Sequence, residues 1–134
     1  MKTLLSLFAI LLLALPVRTH AQSDNGTTRY GTVTVFRSRS DSGSGYSLTF
    51  QNQTLAKVKS GTYVVLQLPE GRQYLLADPT AKHLYQVDVR AGGQHYAEIV
   101  TDGNVLRRLP TMVSATAEEF ETLRPTLKEI QPRP

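Results

Sequence analysis

Zinc and similar ions need three or four imidazole, thiolate or carboxylate ligands brought together, and His83 and His95 are the residues that first invite that reading. Both flank runs of strand-forming residues. They could meet across the turn Ala91-Gly92-Gly93, with Asp88 or Glu98 completing the set. The chain has three histidines and no cysteine. Two imidazoles without a thiolate suit surface or turn positions better than a metal centre, so neither a metal nor another cofactor is expected.

Other chemistries find equally little. Glycoside hydrolysis needs two carboxylates across a groove, and Asp78, Asp88, Glu98 and Asp102 have no spacing that sets two face to face. They are expected to solvate the surface. An activated serine would sit in a Gly-x-Ser-x-Gly turn, a frame that Ser42-Gly43-Ser44-Gly45 lacks. Lys59-Ser60-Gly61 opens a strand instead of closing a phosphate loop, and Arg107-Arg108 is too small for a nucleic-acid footprint. Six tyrosines, Tyr30, Tyr46, Tyr63, Tyr74, Tyr85 and Tyr96, could stack on sugars, but there is no tryptophan and most lie within strands, which points to packing. Asn25-Gly26-Thr27 and Asn52-Gln53-Thr54 fit the glycosylation pattern, which matters only in a eukaryotic host. No catalytic, cofactor-binding or metal-binding residue is therefore assigned.

The elements around these residues begin with an export signal. Lys2, the apolar run 4–15, Pro16 and the small-residue site Thr19-His20-Ala21 follow the order of a secretory leader, and the run is too short to cross a bilayer of roughly 30 Å. Cleavage is expected after Ala21. Of 134 residues this leaves 113, one domain's worth, and takes Lys2 and Arg18 away, so the net charge falls from +4 to +2. Gln22 stands where a lipoprotein needs cysteine, so the mature chain is expected free of lipid in the periplasm or outside the cell.

Residues 22–28 read as a disordered leader and 29–130 as the domain, with 131–134 a frayed tail. Strands are expected at 30–37, 46–51, 55–59, 62–68, 73–77, 85–90, 94–101 and 105–109, from β-branched runs and from period-2 alternation. Val87, Ala97 and Ile99 should face the core. Lys57 and Lys59 mark an edge strand. Pro69-Glu70-Gly71 and Ala91-Gly92-Gly93 are expected to close β-hairpins. Thr116 with Glu119 forms a capping box ahead of Phe120, Leu123 and Leu127, so a short helix should start near Ala117 and stop or kink at Arg124, before Pro125. About eight short strands and one terminal helix make an all-β, antiparallel β-sandwich the expected fold.

Gly31-Thr32-Val33-Thr34-Val35-Phe36-Arg37, Lys59-Ser60-Gly61-Thr62-Tyr63, Leu68-Pro69-Glu70-Gly71 and Ala91-Gly92-Gly93-Gln94-His95-Tyr96 together resemble a bacterial family designated domain of unknown function 2846. The resemblance spans roughly residues 29–102. It implies an exported, β-rich envelope domain with no assigned activity and carries over no catalytic residue. Members are often lipoproteins, from which this chain departs by lacking the cysteine.

The function expected is a non-enzymatic binding or assembly module of the bacterial envelope whose partner is an envelope protein or glycan, with a hydrolase or a sugar-binding module as the alternative. Intact mass spectrometry of the exported protein should give a chain beginning at Gln22; a mature species that keeps residues 4–15 contradicts the leader assignment.

Overall fold

The computed structural model describes residues 27–41, 44–78, 84–102 and 109–133. The export leader, most of residues 22–28, and residues 105–108 of the expected 105–109 strand lie outside them. Nine strands and one helix are described: β1 (Tyr30–Arg37), β2 (Tyr46–Phe50), β3 (Gln53–Val58), β4 (Thr62–Pro69), β5 (Gly71–Leu75), β6 (Tyr85–Val89), β7 (Gln94–Asp102), β8 (Leu109–Ala115), α1 (Ala117–Leu123) and β9 (Lys128–Ile130). Among the described residues no helix is long and apolar enough to cross a membrane.

The all-β expectation holds, but the sheet is not purely antiparallel. Five strands are ordered β8-β7-β1-β4-β9, and two further ribbons pair β2 with β3 and β5 with β6. Within the five, β1 runs antiparallel to β4 yet parallel to β7, and β4 runs parallel to β9. Neither expected hairpin at Pro69 or Ala91 forms. Pro69-Glu70-Gly71 carries the chain from β4 in the large sheet to β5 in a ribbon, and Ala91-Gly92-Gly93 carries it back from β6 to β7. Turn chemistry specifies a change of direction and not which strand will be paired afterwards. The Glu70 N–H donates to Arg29 O (2.8 Å) and the Gly92 N–H to Tyr30 O (2.9 Å), so both corners are tied to the start of β1. Gly31 makes room for the second: a Cβ there would stand 2.4 Å from Arg90 O and 2.6 Å from Val89 Cγ1.

β2 and β3 form a hairpin through a two-residue turn at Gln51 and Asn52 with φ of 48° and 62°, so Gln51 belongs to the turn and not to the strand expected over 46–51. A bridge between Thr49 and Leu76 joins this ribbon edge to edge with the chain leaving β5, by bonds of 2.8 and 2.9 Å. One apolar cluster then unites Val33 and Val35 of β1, Val64, Leu66 and Leu68 of β4 and Ile99 of β7 with Leu48, Val58, Leu75, Val87 and Val89 of the ribbons. Val87, Ala97 and Ile99 are buried, as their alternation requires.

The opposite face of the large sheet is covered by α1. Thr116 accepts from the Glu119 N–H (3.1 Å) and its own N–H donates to Glu119 Oε2 (3.0 Å), so the capping box is formed. The helix ends at Leu123 and Pro125 sits in a 3₁₀ turn, Arg124–Thr126. The stop at Arg124 is where Pro125 is expected to put it, and Leu127, counted in the helical spacing, falls beyond the helix. From there β9 adds to β4, and the Arg133 N–H donates to Leu55 O, so the tail is anchored to β3 instead of fraying. Three residues with one apolar side chain, Ile130, carry too little pattern to be read as a strand.

Phe120 is what α1 buries. Its ring lies 5.4 Å from Phe36 of β1, 5.1 Å from Tyr63 of β4 and 5.4 Å from Tyr96 of β7, centroid to centroid. Phe120→Ala should cost about 3–5 kcal/mol and release α1 from the sheet. Chemical denaturation with amide exchange of residues 117–123 checks this; an unchanged midpoint contradicts it.

Candidate functional site

The sequence candidates do not converge. His83, Ser42, Gly43, Arg107, Arg108 and the Asp102 side chain lie outside the described residues. His95 Nε2 accepts from the Arg90 backbone N–H (3.1 Å), which fixes the corner that returns the chain to β7. Asp88 faces Arg72 across β5 and β6 at 3.5 Å, with both side chains largely exposed, a pair worth about 0–1 kcal/mol. Asp78 follows β5, half-buried. Among the described residues no three His, Cys, Asp or Glu side chains could hold a metal ion. Lys57 is exposed on β3, which pairs with β2 alone, as an edge lysine should be.

Three concavities remain. The first, of about 460 Å³, lies where β6 approaches β7 and β8, and its polar groups serve one another. Tyr85 Oη and Ser114 Oγ are 2.9 Å apart, and the Tyr96 hydroxyl donates to Gln94 Oε1 (3.2 Å).

The second, of about 700 Å³, is open and runs between α1 and β8, lined by Glu98, Val113, Thr116, Glu119 and Leu123. Burial pushes the Glu98 carboxyl above the usual carboxylate range, and the negative charges of Glu119 and Asp41 push it further. A raised acid is half of a hydrolytic pair. Of the two other carboxylates that line the groove, Glu119 is held in the capping box and Glu118 stands exposed on the first turn of α1.

The third, of about 280 Å³, sits where the two ribbons join, walled by Phe50, Tyr74, Leu76 and Leu84 and rimmed by Gln51, Asn52 and Gln73. Leu75 turns into the core, so Tyr74 on the same strand must face out, and it is 45% exposed. Leu84 is 62% exposed. Gln51 and Asn52 reach the rim because the turn holds both at positive φ, a geometry that favours glycine and asparagine and strains glutamine. Gln73 Nε2 donates to Pro69 O (3.0 Å), leaving its amide oxygen directed elsewhere. Among the described residues that line it, only the Tyr74 phenol is ionisable. Aromatic and aliphatic walls with a few amides are the usual composition of a site for a neutral ligand.

One ionisable centre was missed in the sequence. Arg37 is fully buried at the end of β1. Its Nε donates to Asp41 Oδ2 (2.9 Å), its Nη1 to Ser44 O (2.8 Å), and its guanidinium carbon lies 4.5 Å from the Tyr46 ring centroid. Thr101 Oγ1 also donates to Asp41 Oδ2 (2.9 Å) and lies 3.2 Å from Tyr46 Oη. The signal was available: Arg37 shares the parity of Val33 and Val35, so alternation puts it on the core face. The network ties Asp41 and Ser44 to the end of β1.

No family model, curated protein or solved structure matches the chain.

Glu98 carries a pH prediction. Its carboxyl is raised in the folded state, so the folded chain holds the proton more tightly and stability falls as pH rises through the folded-state value. Glu98→Gln should raise the melting temperature at neutral pH, with the difference vanishing below the unfolded carboxylate range near about pH 4. Melting curves from pH 3 to 8 check this; a Gln variant less stable at pH 7 contradicts it.

Proposed function

We propose that this protein is an exported, non-enzymatic binding module of the bacterial envelope, a β-sandwich that holds an uncharged glycan segment in the groove between its two ribbons. The observation that carries this reading is the lining of that groove, Tyr74, Phe50 and Leu84 beside the Gln51 and Asn52 amides, with no acid or base among them. A pyranose presents an apolar C–H face and a rim of hydroxyls. The first matches an exposed phenol ring and the second matches amides, which both donate and accept.

The sandwich is the architecture that one apolar cluster shared by the large sheet and the joined ribbons supports. A leader cleaved after Ala21, with Gln22 in place of a lipid-bearing cysteine, supports a lipid-free protein of the periplasm or extracellular space, where nucleic acid is not a partner. Likeness to the domain of unknown function 2846 family is in keeping with this role. A hydrolase built on Glu98 would share its groove with Glu118 and with Glu119, whose carboxylate caps a helix.

Co-sedimentation of the mature chain with chitin, an uncharged polymer bearing hydroxyls and acetamides, and with protein-free envelope polysaccharide tests the reading. We expect retention on at least one polymer, weakened about tenfold by Tyr74→Ala, or about 1.4 kcal/mol. Glu98→Gln should bind normally. Retention that ignores Tyr74, or release of soluble sugar that requires Glu98, contradicts it.

A further inference from the structure

Among the described residues six strands have a sheet neighbour on one side only, β2, β3, β5, β6, β8 and β9, and their free edges are treated very differently: β2 is engaged at Thr49 by the bridge to Leu76, and β5 carries Arg72. An exposed edge is a template for another strand, and proteins guard it with charge, shortness or a covering segment. β9 is three residues long and carries Lys128 and Glu129. β3 carries Lys57 and receives the Arg133 N–H on Leu55 O. β6 carries Asp88, paired with Arg72. β8 runs Leu-Pro-Thr-Met-Val-Ser-Ala over seven residues without a charge. Pro110 withholds one donor near its start, and nothing else in the strand opposes pairing.

Its side chains sort by alternation. Met112 packs toward the main core and Ala115 toward the Phe120 cluster, so Leu109, Thr111, Val113 and Ala115 share the face on which α1 lies. Leu109 is 38% and Val113 40% exposed there. Those two are among the few large apolar side chains that the fold leaves in water.

We propose that β8 pairs with β8 of a second copy, antiparallel about a two-fold axis at Met112, extending the five-stranded sheet into a continuous sheet of ten. This register sets Val113 opposite the partner's Thr111 and Leu109 opposite the partner's Ala115, and so shields both exposed residues twice over, as an isologous contact must. Charge favours a second copy as the occupant. An uncharged strand meets its own image without placing like against like, whereas β3 or β9 would oppose lysine to lysine. Glu98 on β7 is kept from its counterpart by three strand spacings, roughly 14 Å and beyond the screening length at physiological salt.

The chain's lack of cysteine gives a clean test. Light scattering of the purified mature protein across micromolar concentrations should report a dimer, and Val113→Lys should raise its dissociation constant at least tenfold while the monomer still folds, since Val113 is already exposed. Thr111→Cys combined with Val113→Cys should form a covalent dimer under mild oxidation, while Gln67→Cys, exposed on interior strand β4, should not. A wild-type chain that is monomeric throughout overturns the proposal. So does a dimer indifferent to Val113→Lys, or a double-cysteine variant that fails to crosslink. If Val113→Lys itself unfolds the chain, the crosslink alone decides. Glycan retention through Tyr74 involves a different surface, so either result stands without the other.

Discussion

β1 has almost no side facing water. From Val33 to Arg37 every residue is buried, with Val33, Val35 and Arg37 turned to the main core and Phe36 to the helix cluster. A strand buried on both faces needs a layer on each, and the rest of the chain supplies them: the two ribbons on one side and α1 on the other. It also needs a neighbour at each edge, because its N–H and C=O groups would otherwise be desolvated without partners. β4 and β7 fill those places, one antiparallel and one parallel. The parallel partner follows from the corners. The chain leaves the sheet after β4, builds the β5–β6 ribbon, and re-enters at Gly93, whose carbonyl accepts from the Thr32 N–H (2.9 Å) beside the beginning of β1, so β7 runs alongside β1 in the same direction.

The same alternation that buries Val33 and Val35 forces Arg37 inside, and a lone guanidinium there would carry a desolvation penalty of several kcal/mol. The fold answers with the Asp41 carboxylate, two carbonyls and the Tyr46 ring. Those partners come from the 38–45 loop, β2 and β3, so satisfying one charge fixes how the chain passes from the central strand to the first ribbon. Removing a single partner should be worse than removing the whole set, since it would strand the charge.

Local patterns made much of this legible. β1 lay within its β-branched run, the β2–β3 turn between two alternating segments, and the capping box marked the helix start because both of its bonds join residues three apart. What local pattern could not supply was partner choice. Pro69-Glu70-Gly71 and Ala91-Gly92-Gly93 look like hairpin turns because they reverse the chain, yet each hands it to another sheet, a decision made by the burial of β1 and not by turn residues. Leu127 and Ile130 failed for a related reason. Once Pro125 removes the helix, their placement depends on a free edge of β4 that lies more than sixty residues away in sequence. The candidate groove was legible only in part. Tyr74 was singled out with five other tyrosines, but its outward direction depends on Leu75 pointing in, and its neighbours Gln51 and Asn52 reach it only through the bridge of Thr49 to Leu76.

That bridge bears on the binding role proposed for the groove. Among the described residues no buried side-chain polar atom lacks a hydrogen-bond partner, and the strongest ionic groups, Arg37 with Asp41 and Glu119 at its cap, are spent on holding loops and termini. Catalysis by acids and bases needs groups with capacity left to exchange protons with a substrate. The groove between the ribbons offers neutral groups: the Tyr74 ring, the exposed Leu84, and the amides of a turn held at positive φ. Those groups can exclude water and match hydroxyls, and they cannot shuttle charge. Because the wall draws on both ribbons and the rim largely on the β2–β3 turn, the geometry of the groove is set by two backbone hydrogen bonds at 2.8 and 2.9 Å, so the pairing that joins the two ribbons also forms the candidate site.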